Sequence, residues 1–216
     1  MDSSAEVPEL VTAHTTLRQV PFVPELRLHL ADDAIELWEE VENVSLVKDQ
    51  PPPFWAFGWP GGVALARHVL DHPGLVAGRT VLDLGSGSGL VAIAAARCGA
   101  ASVLASEPDP IAVAAIGLNA AANDARIEVA ADVLDGEGEG RDVVLAGDVC
   151  YERQMTARVI PLLQRARARS ATVLIGDPGR AFLPRDLFEQ IAAYDVPTQA
   201  DLEDTPVKRV MILRLP

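Results

Sequence analysis

The ten residues Val81-Leu82-Asp83-Leu84-Gly85-Ser86-Gly87-Ser88-Gly89-Leu90 decide how this chain folds. Apolar side chains dominate residues 81–84, which predicts a short buried strand, and three glycines then follow at alternate positions. Such a turn lets the main chain approach a ligand without a Cβ clash, and it leads into a helix whose free N–H groups favour anionic or polar ligand atoms. A tight turn without a ligand fits the same residues, so its meaning depends on the rest of the chain.

Strand and helix patterns alternate from this turn to the end of the chain. This alternation predicts an α/β, Rossmann-like fold in which helices flank a mostly parallel sheet with right-handed crossovers. We expect the last strand to run antiparallel at or near a sheet edge. The predicted strands are residues 81–84, 102–106, 127–130, 143–146, 172–175 and 207–215, and the predicted helices are residues 63–70, 90–98, 110–122, 154–168 and 187–193.

The first sixty residues have a mixed pattern. Residues 27–30 alternate weakly, like a short strand, and residues 33–42 are typical of an acidic amphipathic helix. A proline run at residues 51–53 then leads into an aromatic, glycine-broken loop. We expect residues 1–60 to pack as an N-terminal segment on a domain formed by residues 61–216, so that the whole chain forms one globular domain.

The composition restricts the possible partners. Of the 216 residues 49% are hydrophobic, which is enough to bury a sizeable core, and the formal net charge is −13. An acidic surface repels phosphate backbones, so we expect no nucleic-acid substrate. Basic protein surfaces and small cations suit this charge better.

Metal-binding and targeting patterns are also not evident. Cys98 and Cys150 form no CxxC pair and the four histidines lie far apart, so we expect no metal site. No apolar run is long enough to span a membrane, and the acidic first ten residues resemble neither a secretory signal nor a mitochondrial presequence. The expectation is a cytoplasmic protein without a membrane partner.

A carboxylate ends the second predicted strand. Glu107 lies in the stretch Ala-Ser-Glu-Pro-Asp at residues 105–109, where an acidic side chain can accept hydrogen bonds from both hydroxyls of a ribose. Glu107 and Pro108 are therefore candidate ligand-binding residues, and Asp109 is expected to cap the next helix. A ribose occurs in dinucleotides as well as in other adenosine ligands, so Glu107 leaves the ligand class open.

Glycine spacing bears on the dinucleotide alternative. A GxGxxG fingerprint that starts at Gly85 fails because Leu90 occupies its last position, and a GxGxxA match that ends at Ala92 begins two residues late. The acid inside the strand, Asp83, suits S-adenosylmethionine enzymes better. In those enzymes it accepts hydrogen bonds from the turn and lies near the amino-acid end of the ligand.

Two further strand ends carry acidic side chains. Asp132 and Val133 follow the third strand, where they can bind an adenine amino group and pack its ring, although a plain loop aspartate fits nearly as well. Gly147, Asp148 and Tyr151 follow the fourth strand, where open α/β sheets place reacting groups. Asp148 and Tyr151 form a DxxY pattern that can face a substrate amine, but a helix-capping aspartate fits Asp148 too.

Together these residues resemble the class I protein-lysine methyltransferases that share a DxxY motif. They are most similar to the electron transfer flavoprotein beta-subunit lysine methyltransferases, including bacterial relatives, and the resemblance covers roughly residues 52–180. Its specific parts are Pro-Phe-Trp-Ala-Phe-Gly-Trp-Pro-Gly-Gly at residues 53–62 and Leu-Ile-Gly-Asp-Pro-Gly-Arg at residues 174–180, supported by Asp-Pro-Ile-Ala at residues 109–112. Cys150 departs from the pattern, because some relatives have an aromatic residue there.

The resemblance implies a class I methyltransferase domain over residues 61–216, S-adenosylmethionine as cofactor and a seven-stranded sheet of order 3-2-1-4-5-7-6. It also implies that Trp59 lies against the cofactor and that Asp148 and Tyr151 shape a lysine channel and are the catalytic candidates. Combined with the motifs, it predicts these cofactor-binding residues: Trp59, Asp83, Gly85, Ser86, Gly87, Gly89, Glu107, Pro108, Asp132, Val133 and Gly147.

Three functions remain open at this point. The first is a protein-lysine methyltransferase acting on the electron transfer flavoprotein beta subunit or on another bacterial protein, such as a ribosomal one. The second is a small-molecule, nicotinamide-like N-methyltransferase, and the third is a non-catalytic adenosylmethionine-binding protein. The DxxY pattern favours catalysis over the third.

The chemistry of lysine restricts the role of Asp148. An ordinary lysine has a pKa of about 10.4, so its neutralisation at pH 7 costs roughly 4.6 kcal/mol. An aspartate with a pKa near 3.9 is a poor match for a general base. We therefore expect Asp148 and Tyr151 to bind and aim the amine, while its proton leaves to water.

Overall fold

A seven-stranded sheet forms the centre of the protein in this computed structural model, which describes residues 3–33, 37–38, 52–133, 140–198 and 203–216. Its strands are β3 (Thr80–Leu84), β4 (Ser102–Ser106), β5 (Glu128–Ala130), β6 (Val143–Gly147), β7 (Thr172–Asp177), β8 (Glu189–Pro197) and β9 (Val207–Arg214). Their order is β5-β4-β3-β6-β7-β9-β8, which confirms the order 3-2-1-4-5-7-6 when strands are counted from β3. β3 to β7 run parallel, and β9 pairs antiparallel with both β7 and β8.

Helices cover both faces of this sheet. The described α-helices are α1 (Ser3–His14), α2 (Pro60–Asp71), α3 (Leu90–Arg97), α4 (Pro110–Ala122) and α5 (Arg153–Ala168). Successive side chains of a strand point to opposite faces, so Val143 and Leu145 of β6 join one core cluster and Val144 and Ala146 join another. The first cluster includes side chains of α2, α3 and α4, and the second includes side chains of α5.

The helix that follows β4 begins as the sequence predicts. The Asp109 side chain accepts a hydrogen bond of 2.8 Å from the backbone N–H of Ile111, and Pro110 occupies the first helical position, where its missing N–H costs nothing. The predicted cap is confirmed. This cap holds the start of α4 next to the end of β4, which carries Glu107.

The predicted helix over residues 187–193 is wrong. A three-residue 3-10 helix, Arg185–Leu187, is followed directly by β8, which pairs with β9 from Glu189↔Arg214 to Pro197↔Val207. Leucine, glutamate, glutamine and alanine favour a helix locally, but the long antiparallel pairing with β9 supplies backbone hydrogen bonds that override this preference. β8 is the strand that completes the seven-stranded sheet.

The N-terminal segment contributes to the same core as the sheet. It contains α1, β1 (Thr16–Val20) and β2 (Val23–Leu30), of which only the end of β2 was predicted. Leu26 and Leu28 of β2 are buried in the cluster that includes Val143. Most of the predicted helix over residues 33–42 and of the predicted turn over residues 136–140 lies outside the described residues. The division at residue 60 stays a prediction.

Two asparagines, Asn119 in α4 and Asn123 at its C-cap, accept hydrogen bonds from the backbone of β2. The backbone N–H of His29 donates to Asn119 Oδ1 at 2.7 Å, and that of Arg27 donates to Asn123 Oδ1 at 3.0 Å. Asn119 is fully buried and also donates to the Ser88 carbonyl at 2.8 Å. The same side chain therefore links the N-terminal segment to the glycine turn.

Candidate active site

A cavity of about 600 Å³ opens at the carboxyl ends of β3, β4 and β6. This is the edge at which open α/β sheets bind ligands, and the volume lies within the usual range for small-molecule sites. Ten predicted site residues line it together: Trp59, Asp83, Gly85, Ser86, Gly87, Glu107, Pro108, Gly147, Asp148 and Tyr151.

The glycine turn forms the floor of the cavity. Gly87 has a φ of 53° and Gly89 a φ of 83°, in the left-handed region that side chains rarely adopt. A Cβ at Gly87 would meet no atom within 4 Å, so the backbone is open towards the cavity. Gly89 is the N-cap of α3, where a Cβ would lie 3.3 Å from Ile116. It is not among the described residues that line the cavity, and its predicted contact with the cofactor stays a prediction.

Asp83 links the glycine turn to α3 through hydrogen bonds. Its Oδ2 accepts a hydrogen bond of 2.6 Å from the Ser86 hydroxyl and one of 3.0 Å from the Ala92 backbone N–H. The residue is only 1% exposed. Burial raises the pKa of Asp83 to about 6, although both hydrogen bonds oppose this, and the nearby Glu107 raises the pKa further.

This raised pKa makes the stability of the fold depend on pH. Between pH 4 and 6 the folded state holds a proton on Asp83 that the unfolded state has released, so the free energy of unfolding falls as the pH rises. Asp148, whose pKa burial also raises to about 6, acts in the same direction. Each pKa unit corresponds to about 1.4 kcal/mol, so the ionisation of either group lowers the free energy of unfolding by on the order of 2–3 kcal/mol between pH 4 and pH 7.

Asp83→Asn is expected to raise the free energy of unfolding at pH 7.5 by about 1–3 kcal/mol and to flatten its dependence on pH. The amide oxygen can still accept from Ser86 and Ala92, while the cost of a buried charge disappears. Urea unfolding at pH 4.5 and pH 7.5 measures the effect, with the exposed Asp186→Asn as control. A variant less stable than the wild type at both values would contradict it.

Glu107 faces the cavity beside the turn. Its Oε2 accepts from the Gly87 backbone N–H at 2.8 Å and its Oε1 accepts from the Asp109 backbone N–H at 3.1 Å. Burial raises the pKa of Glu107, and the two backbone donors oppose this shift. Because each carboxylate oxygen has a further acceptor position, the side chain suits a vicinal diol such as that of a ribose.

Asp132 and Val133 lie away from the described cavity wall. Asp132 Oδ2 pairs with Arg158 Nη2 of α5 at 2.7 Å, and Val133 is buried among apolar side chains under the sheet. Neither is among the described residues that line the cavity. Their predicted contact with adenine stays a prediction.

Asp148 lies in the cavity wall just after β6, the strand that pairs with β3. Its φ of 57° is in the left-handed region, which aspartate tolerates better than most residues, and such outliers occur often at functional sites. Its Oδ2 accepts from the backbone N–H of Gly62, in the first turn of α2, at 3.1 Å. Asp148 therefore does bind a helix start, but the helix is α2 and not the one that follows it in the sequence.

Three aromatic rings surround the mouth of the cavity. The ring of Phe54 lies 5.6 Å from that of Trp59 and 5.6 Å from that of Tyr151, in edge-to-face arrangements. The Trp59 indole N–H donates to the Phe54 carbonyl at 2.9 Å, which fixes its orientation. The sequence pattern assigns no role to Phe54, yet its ring contacts those of both Trp59 and Tyr151.

Two charged residues complete this end of the site. Arg180 lines the cavity, and its guanidinium binds Asp148 Oδ1 through Nε at 2.9 Å and through Nη2 at 2.7 Å. The same Nη2 lies 2.7 Å from Glu203 Oε1. The sequence pattern assigns no role to Arg180, although it lies in the stretch at residues 174–180, and it gives no signal for Glu203, because the strand before it is predicted as a helix.

The site as a whole suits an adenosine ligand. An open glycine backbone and the buried Glu107 carboxylate line a cavity of about 600 Å³. Within the part of the chain that the structure describes, no group of three histidine, cysteine or acidic side chains is arranged to hold a metal ion. None of the described helices is long and apolar enough to cross a membrane.

Comparison with known proteins assigns the family. Residues 65–150 match a family model described as ribosomal protein L11 methyltransferase (PrmA). The chain is similar to the electron transfer flavoprotein beta subunit lysine methyltransferase of Xenopus laevis, with 38% identity over 83% of this chain and 73% of that protein. The human protein of the same name is 40% identical over 73% of this chain and 60% of that protein.

A solved structure agrees with this assignment. The ribosomal protein L11 methylase from Lactobacillus delbrueckii subsp. bulgaricus superposes with a TM-score of 0.54 and 25% identity, over 80% of this chain and 90% of that one. The matches to named relatives extend over most of the chain. The chain is thus a methyltransferase and belongs to the electron transfer flavoprotein beta subunit lysine methyltransferase family.

Proposed function

We propose that this enzyme transfers a methyl group from S-adenosylmethionine to lysine side chains of a protein substrate. The first candidate substrate is the beta subunit of an electron transfer flavoprotein, because the named relatives act on it. A ribosomal protein is the second, because the family model that matches residues 65–150 carries that name. The formal net charge of −13 suits a basic, lysine-bearing partner.

One observation carries this proposal. The glycine turn, Glu107, Asp148 and Tyr151 all line a single cavity. A cofactor held by the turn and Glu107 would share this cavity with a substrate side chain that enters past the aromatic mouth. Tyr151 is 45% exposed, so it is accessible to a protein that docks there.

The residues of this chain would bind the cofactor and orient the substrate amine. Glu107 and the Gly87 backbone would hold the ribose, and Asp83 keeps the turn in place through Ser86. When bound, S-adenosylmethionine supplies an already activated methyl group. The amine must arrive neutral, so its proton leaves to water and the rate comes largely from positioning. Asp148, with a pKa of about 6, is mostly ionised at pH 7 and can accept a hydrogen bond from the amine.

The direct test uses tritiated S-adenosylmethionine with purified electron transfer flavoprotein and, separately, with a bacterial lysate. Label in the beta subunit band, placed on lysine by mass spectrometry, is the expected result. Label in a different band changes the substrate but keeps the lysine assignment if mass spectrometry finds methyl-lysine. Label only in the small-molecule fraction, or no transfer from a protein that still binds the cofactor, would overturn the proposal.

Asp148→Asn is expected to lower the turnover of a lysine substrate about 100-fold, because Arg180 loses one of its two carboxylate partners and the amine loses a charged acceptor. The affinity for S-adenosylmethionine, measured by calorimetry, should change little, since the hydrogen bonds of Glu107 and the turn do not involve Asp148. The exposed Asp186→Asn is the matched control. Near-normal turnover of Asp148→Asn would show that Asp148 does not aim the amine.

A further inference from the structure

The guanidinium of Arg180 is held in the cavity wall by three different elements. It binds Asp148 at the end of β6, Glu203 in the connection between β8 and β9, and the face of the Trp59 ring, with Cζ 5.7 Å from the ring centre. Its backbone is held as well, because Asp177 Oδ1 accepts from the Arg180 N–H at 2.7 Å. Such complete restraint indicates a fixed charge rather than a mobile surface side chain.

We propose that Arg180 is a positioning residue that neutralises Asp148 and thereby makes the site accept lysine as an uncharged amine instead of as an ammonium ion. This inference rests on the proposed function. A lone buried carboxylate would bind the ammonium form most tightly and so oppose the loss of its proton. With Arg180 paired to it, the carboxylate offers a hydrogen-bond acceptor but little net charge.

The hydrogen bonds of Asp148 agree with this role. An ionised carboxylate has about four acceptor positions. Among the described residues, Arg180 Nε–H donates to Oδ1, Arg180 Nη2 forms an ion pair with the same oxygen, and the Gly62 N–H donates to Oδ2. Oδ2 therefore keeps an acceptor position for an N–H of a neutral amine, while the charge of the carboxylate is already paired with Arg180.

The neighbouring groups do not replace Arg180. Asp177 and Glu203 are acidic and Lys208 Nζ lies on the far side of Glu203, at 3.4 Å from its Oε2. Burial raises the pKa of the Cys150 thiol to about 12 and also raises that of the Tyr151 phenol, so both are neutral at pH 7. Burial raises the pKa of Asp177 too, and its Oδ2 has no hydrogen-bond partner among the described residues. Arg180 is thus the cation in direct contact with Asp148.

A binding experiment without cofactor tests the inference. The probe is n-butylamine, a mimic of the lysine side chain that is protonated at pH 7, and the signal is the shift of the Trp59 indole N–H in ¹⁵N spectra. Arg180→Gln is expected to bind the probe at least tenfold more tightly than the wild type, and Arg180→Lys to bind it like the wild type. Adding Asp148→Asn to Arg180→Gln should abolish the gain.

Arg153→Gln is the matched control, because it removes one positive charge beside the cavity without touching Asp148. Arg153 is exposed and stacks on the Phe182 ring, with Cζ 5.2 Å from its centre. If Arg180→Gln does not fold, Arg180→Met keeps an aliphatic stem against Trp59 and carries the same expectation. An equal gain in the Arg153 variant, no gain at Arg180, or a gain that survives Asp148→Asn would overturn the inference.

The pH profile of methyl transfer provides a second readout. With a lysine substrate, the acidic limb of kcat is expected to move up by about one pH unit in Arg180→Gln, because a bare Asp148 raises the pKa of the bound amine. Arg180→Lys and Arg153→Gln are expected to keep the acidic limb of the wild type. A purely structural role of Arg180 would not separate Arg180→Gln from these two variants in the pH profile. A wild type that transfers no methyl group defeats the proposed function, whereas the binding experiment still decides the role of Arg180.

Discussion

Gly61→Ala is expected to lower the free energy of unfolding by about 3 kcal/mol or more and to abolish methyl transfer. The first turn of α2 lies directly on the ends of β6 and β7. A Cβ at Gly61 would overlap the Gly176 carbonyl oxygen and the Asp148 carboxylate, and it would lie 2.8 Å from Asp148 Cγ. Neither neighbour can rotate away, since one is backbone and the other is held by Arg180, so α2 would have to move off the sheet.

The next residue provides the matched control. A Cβ at Gly62 would meet no atom within 4 Å, although Gly62 lies in the same turn of the same helix. Gly62→Ala is therefore expected to leave stability unchanged or to raise it by roughly 0.5–1 kcal/mol through helix propensity. Urea unfolding of both variants measures the difference. Equal stabilities would mean that the contact of α2 with the strand ends is looser than this geometry requires.

Glu107→Ala is expected to weaken the binding of S-adenosylmethionine by well over tenfold. Hydrogen bonds to a charged group contribute roughly 1.5–3 kcal/mol each, and the carboxylate is placed to accept from two ribose hydroxyls. The substitution also removes the acceptor for the Gly87 and Asp109 backbone N–H groups, so the turn itself loses support. Calorimetric titration of the cofactor measures the loss.

The control for this titration is Glu152→Ala. Glu152 is exposed, carries the same charge and lies outside the described cavity lining, so general electrostatics would affect both variants alike. Glu107→Gln is expected to fall between the wild type and alanine, because the amide keeps one acceptor oxygen. An unchanged affinity in Glu107→Ala would remove Glu107 from the ligand site.

The buried strands and the turn between β3 and α3 could be predicted because their signals are local. Four of the parallel strands are short apolar runs bounded by turn residues, and such runs fit no other place in a small α/β protein. The cap at Asp109 and the left-handed glycines depend on adjacent residues only. β8 failed for the opposite reason, since its strand state depends on β9, which follows later in the chain.

The site divides in the same way. Glu107 and Asp148 could be identified because the topology of a parallel sheet brings the ends of its strands to one edge. The contacts that set the charge of Asp148 could not, because they join residues 62, 148, 180 and 203 from four separate elements. The sequence singles out Asp148 as a candidate, but its Arg180 partner is visible only in three dimensions.

The sequence by itself determined the fold class, the order of the sheet through its family resemblance, and many of the residues that line the cavity. These features follow from apolar periodicity and from glycines that act on their own backbone. Only the tertiary structure decided that α2 begins on Asp148, that Phe54 joins the aromatic mouth and that Arg180 pairs with the catalytic candidate. Long-range packing places those groups, and no pattern along the chain encodes which distant side chains will meet.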